Sequence, residues 1–181
     1  MTTEPATPEK PDHRRYTSLD GEGEAAVGRI AIWAAFVEQG LVDLCASLIN
    51  RNFEVGYAVT ANMSASSMIN IARKLVSESP SVSAKNKMHT LNVLTEAKGA
   101  LEQRNKILHA TVGGSLEKGK AAFYNSRRKK TAAPAGQLPQ LEATFHSSED
   151  LDAIGARLYK IQMDLWDCVF FPHDPPVRSD E

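Results

Sequence analysis

Three polar side chains capable of proton transfer and anion binding fall close together in "RNKILH": Arg104, Asn105 and His109. A histidine, with an ordinary pKa of about 6.5, moves protons near neutral pH. An arginine can hold a phosphate through two parallel hydrogen bonds and stabilise charge building on its oxygens. An asparagine beside them can orient a ring or a phosphate. All three sit in a segment of helical apolar rhythm. With Leu94 at zero and about 100° per residue, Leu101, Leu108 and Val112 cluster within roughly 40°. Asn105 then falls at about 20°, Arg104 at about -80° and His109 at about +60°. The asparagine is therefore expected inside the stripe, with the arginine and histidine on opposite borders. A plainer assignment competes on geometry alone: a border arginine lays its stem on the core with its head in water, and a stripe asparagine bonds a neighbouring helix. A lone border histidine is more often a satisfied structural residue than a catalyst.

Other residues can support the three. Glu38, at the edge of the first helix's apolar face, can pair with Arg104 across the bundle, or be solvated. Glu102 lies near His109 on the wheel and can raise its pKa, or be solvated. "NSRRKK" places Arg127, Arg128, Lys129 and Lys130 beside Lys118 and Lys120, and only Glu117 opposes them over residues 116–130. Such a cluster can track RNA phosphates, though charge alone fits a solvated loop tip better. Tyr124 beside it can stack on a base or pack within a hairpin. His13, His89, His146 and His173 make no metal-like spacing with Cys or acidic residues. "DGEG" lacks the strand and lysine of a phosphate loop. No metal and no cofactor are expected.

The elements that must position these residues read as helices. The chain has 181 residues, a formal net charge of -1 and 42% apolar residues, the composition of one globular domain. Affinity for nucleic acid must then come from a local patch. Cys45 and Cys168 lie in helical apolar patterns and read as small core residues. No uninterrupted apolar run approaches the ~18 residues of a membrane span, and no signal-peptide core is visible. A reducing, cytoplasmic setting without membrane attachment is expected. Residues 1–19, rich in Pro, Thr and charge, read as a disordered arm, and 172–181 as a flexible tail. Asp20 can cap a first helix with Ile30, Trp33, Val37, Leu41, Leu44 and Leu48 on one face. "RNFEVGY" breaks the pattern, and a second helix is predicted over 60–77 with Met68, Ile71 and Leu75 on one face. A third starts near Ser83 and carries Leu91, Leu94, Ala97, Leu101, Leu108 and Val112, with Gly113-Gly114 as its stop. An insertion over about 115–146 follows, a β-hairpin or long loop in which Leu141, Ala143 and Phe145 alternate. Ser147 and Asp150 form a capping box for a last helix with Leu151, Ile154, Leu158, Ile161, Leu165 and Val169. The fold class is all-α: a bundle of four main helices over residues 20–171.

On this third long helix, Arg-Asn, three residues and then His resembles the motif of the HEPN superfamily (higher eukaryotes and prokaryotes nucleotide-binding). The helix order over about 22–170 is similar as well, and the insertion before the last helix departs from the minimal form. The resemblance implies Arg104, Asn105 and His109 as catalytic residues of a metal-independent endoribonuclease. It implies a homodimer in which two motifs face each other, an RNA substrate, and a toxin or defence effector with a protein antitoxin or other partner. The alternative is a non-catalytic HEPN-like dimeric interaction module, for example pairing with a nucleotidyltransferase. A third assignment is a plain bundle in which Arg104 and His109 make structural hydrogen bonds.

Overall fold

The computed structural model describes residues 19–50, 53–115, 117, 119–125 and 142–170. Residues 1–18 of the predicted arm, the tail and the cluster Arg127–Lys130 lie outside these residues; Leu19, the last residue of the predicted arm, packs against the core. The chain runs α1 (Gly21–Ile49), α2 (Phe53–Thr60), α3 (Ala65–Glu78), α4 (Ala84–Leu108), β1 (Thr111–Gly114), β2 (Ala121–Asn125), β3 (Glu142–His146) and α5 (Ser148–Phe170). Among the described residues the chain is predominantly helical, with five helices and one small sheet.

Helix starts follow the expected side-chain chemistry. Asp20 caps α1 by accepting from the Gly23 N–H at 2.7 Å, and Ser83 caps α4 by accepting from Asn86 at 3.3 Å. Ser147 and Asp150 form the reciprocal capping box: Ser147 N–H donates to Asp150 Oδ2 at 2.8 Å, and Asp150 N–H donates to Ser147 Oγ at 3.1 Å. Each cap satisfies donors that the first turn leaves without an intrahelical partner.

Two elements differ from the sequence expectation. The segment read as a break holds α2, whose Gly56 lies against the Ala46 backbone; a Cβ there would sit 2.4 Å from Ala46 Cα. Thr60 therefore ends α2, and the next helix starts at Ala65. In that helix, α3, the buried face is Met68, Ile69, Ala72 and Val76, while Ile71 and Leu75 are half-buried. The second difference is the end of α4. The helix stops at Leu108 and the chain enters β1, so Gly113 and Gly114 are strand residues and not a helix stop. Gly113 is needed there by close approach: a Cβ would meet the Tyr124 ring at 2.8 Å.

α1 and α5 run parallel. Ser148 Oγ donates to Asp20 Oδ1 at 3.0 Å, Arg29 pairs with Asp152, and the Trp33 ring lies 4.7 Å from that of Tyr159. Further along, Gly40 sits against Gln162 and Leu165. α4 runs antiparallel to α5, with Arg157 on Glu96 at 2.6 Å. Between the helices lie Ile30, Leu41, Leu44, Ile69, Leu94, Leu151, Leu158 and Leu165, each nearly fully buried. The predicted seams of α1 and α5 are largely realised; Trp33, Leu48 and Val169 are half-buried. Cys45 and Cys168 are buried free thiols, as expected.

The sheet has the order β1-β2-β3, antiparallel throughout. Phe123 pairs with Thr144 and Val112 with Phe123, and the fully buried Phe123 ring joins the helical core. The expected hairpin is thus a three-stranded sheet. α1 also corrects the hydropathy reading: it is long and apolar enough to cross a membrane by length and composition. Counting uninterrupted apolar residues missed this, because a window average tolerates an isolated charge. Its apolar side chains are divided between the core and an exposed face beside α5.

Candidate functional site

The buried arc of α4 is not centred on its leucines. Thr90, Val93, Leu94, Ala97, Ala100, Leu101 and Ile107 are buried, while Leu91 and Leu108 are half-buried. On the wheel this arc runs from about 0° to -140°, so Arg104 at about -80° stands near its middle. Arg104 therefore occupies a core position and not a border. Its side chain is only 15% exposed.

Its partner is Glu38 of α1, 43% exposed, whose Oε1 accepts from Arg104 Nη2. The expected pair across the bundle thus forms. Arg104 Nε is also buried and has no acceptor among the described residues. A buried donor without a partner is costly, and Nε lies on the same edge of the guanidinium as Nη2. That edge is the one a phosphate or carboxylate engages with two oxygens; Glu38 fills half of it.

His109 is the C-cap of α4, and it is exposed. Its N–H donates to Asn105 O at 3.2 Å, and Ala110 N–H donates to Ile107 O at 3.3 Å. The chain turns there into β1, which fixes where the imidazole leaves the helix. Asn105 is half-buried beside it. Neither side chain has a hydrogen-bond partner among the described residues. Glu102 is exposed on α4 and forms no ion pair among the described residues. Arg104 and His109 are five positions apart, about 140° around the helix. Within one chain, Arg104 is brought to Glu38, and His109 is left facing solvent.

The sequence reading missed a shallow groove of about 570 Å³ between the sheet and α4–α5, lined by Gln103, Lys120, Phe145, His146, Asp150 and Arg157. Its residues come from four separate segments, so no spacing could reveal it. The His146 ring packs edge-on to Phe123 at 5.4 Å. Burial holds its pKa below the ordinary value, with Lys120 acting the same way and Asp150 opposing. Both cations are already paired, Lys120 with Glu117 at 2.8 Å and Arg157 with Glu96 at 2.6 Å. Among the described residues, no group of three or more His, Cys, Asp or Glu could hold a metal ion.

No protein-family model matches the chain, and no curated protein or solved structure matches it.

Proposed function

We propose that this protein is a metal-independent endoribonuclease of the HEPN type, a toxin or defence effector that works as a homodimer. The observation that carries this reading is the end of α4, where a largely buried arginine held by Glu38 precedes a solvent-facing histidine at the helix terminus. RNA supplies its own nucleophile. His109 takes the 2′-OH proton, O2′ attacks phosphorus, and the P–O5′ bond breaks. The proton needed by O5′ comes from the second copy's His109, since the end of one α4 offers a single histidine. The products are a 2′,3′-cyclic phosphate and a 5′-hydroxyl. Arg104 offers its Nε/Nη2 edge to the phosphate, displacing or sharing Glu38. Asn105 orients the ring or the phosphate. The setting proposed is cytoplasmic, with a protein antitoxin or other partner restraining the enzyme.

The basic cluster Arg127–Lys130 supplies phosphate contacts in this scheme. Neutralising all four residues is expected to weaken RNA binding and flatten the slope of log affinity against log salt. Any sequence preference should survive, since phosphate contacts position without reading bases. An unchanged slope would reduce the cluster to a solvated tip.

A second reading has its own support. Arg104 at a core position, pointing about 140° away from His109, also suits a non-catalytic HEPN-like interaction module or a purely structural ion pair. The separating experiment is the end group left on labelled RNA. A 2′,3′-cyclic phosphate whose appearance depends on His109 supports the enzyme. No cleavage across a broad RNA panel supports the module.

A further inference from the structure

α5 carries two apolar seams, and only one faces the core. The inner seam is Leu151, Ile154, Leu158, Ile161 and Leu165, all buried. The outer one, Ala156, Tyr159, Met163 and Trp166, steps by three, four and three residues on the opposite side. Tyr159 is 46% exposed, Met163 48% and Trp166 54%. The parallel neighbour α1 adds Ile32 at 56% and Phe36 at 49%. Trp33 bridges the two helices, 4.7 Å from the Tyr159 ring and 5.5 Å from that of Phe36. A hollow of about 400 Å³ lies beside it, lined by Arg29, Trp33, Asp152, Gly155, Ala156 and Tyr159.

We propose that this α1–α5 face is where a second copy of the chain docks, in a two-fold arrangement of the two helix pairs. Area and spacing argue for that occupant. Half-exposed side chains of this size leave roughly 100 Å² each, so the stripe presents on the order of 500 Å² of apolar surface. That lies toward the upper end of the largest patches on ordinary monomers, ~300–600 Å². It also matches the apolar share of a standard interface, which buries about 800 Å² per partner, a little over half of it apolar. The 3-4-3 spacing is what helices need to interdigitate with helices. A two-fold axis lets one such face complete itself, giving four packed helices from two chains. Asp152 and Asp164 on these helices are neutralised by Arg29 and Lys160, which leaves Asp43 and Asp167 to disfavour an anionic lipid surface.

This interface differs from the motif dimer proposed above. On α1, Phe36 lies about 160° from Glu38, so the aromatic face is turned away from the Glu38–Arg104 pair. If motif-to-motif pairing also occurs, the two interfaces close a tetramer where their two-fold axes intersect at right angles. The proposal does not rest on the ribonuclease reading.

Sedimentation velocity of the full chain tests it. Wild type should sediment as a dimer or tetramer, and the double variant Phe36→Glu/Met163→Glu should have half that mass with an unchanged circular dichroism spectrum. If that variant misfolds, Ile32→Lys alone is the second probe, and Tyr159→Cys should form an intermolecular cross-link with a short bis-maleimide in the wild-type background. An unchanged mass in a folded variant would overturn the proposal, as would a monomeric wild type. Binding of a monomer to phosphatidylcholine vesicles, lost on Phe36→Glu, would overturn it in favour of a lipid surface.

Discussion

Arg104 and Glu38 are unequal partners, and the inequality is testable. Arg104 is nearly buried, while Glu38 keeps almost half of its side chain in water. Removing the exposed partner leaves a guanidinium in the core. Fully buried pairs lose about 3–5 kcal/mol this way; because water reaches Glu38, about 1–3 kcal/mol is expected for Glu38→Ala. Removing the buried partner leaves a carboxylate that solvent accepts. Arg104→Met, which keeps the stem's packing, should change stability by less than about 1 kcal/mol. Denaturant unfolding of the two variants checks the order, and a costlier Arg104→Met would show that Glu38 depends on the arginine. The pair itself was legible in the sequence, since Glu38 stood at the edge of the first helix's face. The depth of Arg104 was not. Ala97, Ala100 and Thr90 mark the true buried face, and small residues give a weak hydrophobic signal while permitting close helix approach. The leucines pulled the inferred stripe toward Leu91, at about +60° on the wheel and only half-buried.

At the scale of elements, caps were the most legible feature, because their chemistry is local. Asp20 and Asp150 both have pKa values below the ordinary carboxylate value, held down chiefly by hydrogen bonds from the Gly23 and Ser147 backbone N–H groups, respectively. Since folding favours their ionised forms, this stability is present above the ordinary range and is lost as pH falls below about 4. His146 has the opposite chemistry and the same sign. Burial favours its neutral form, so stability begins to fall as pH drops through about 6.5, where the unfolded histidine takes up its proton. Thermal melts from pH 7 to 3 should show both losses, and His146→Gln should remove only the earlier one. The α1–α2 contact was not legible, because it depends on Gly56 meeting a backbone ten residues earlier in sequence and in another helix. Gly56→Ala would gain helix propensity in isolation, by about 1 kcal/mol. Here its Cβ would fall inside the Ala46 contact distance, so the variant should lose about 1–3 kcal/mol. An increase in melting temperature would show that α2 shifts freely. The sheet was half-legible: alternation at Leu141, Ala143 and Phe145 pointed to a strand, whereas β1 hid within what read as the end of α4.

The whole molecule sets its mostly helical body against two features that sequence periodicity could not join: an exposed histidine at a helix end and an aromatic face on the far side of α1. In the proposed scheme both await assembly, since proton transfer by two copies of His109 and burial of the aromatic stripe would each draw on another chain. The central claim is that His109 is the proton-transfer group of an RNA cleavage reaction, and one assay bears on it most directly. Labelled single-stranded RNA is incubated in EDTA with wild-type and His109→Ala protein, after melts establish equal thermal stability. His109 is exposed at the C-cap, so the substitution should leave stability within about 0.5 kcal/mol. Cleavage by wild type to a 2′,3′-cyclic phosphate, slowed about 10²- to 10⁴-fold by the substitution, is the predicted result. Equal rates in the two proteins, or no cleavage by either, would contradict it.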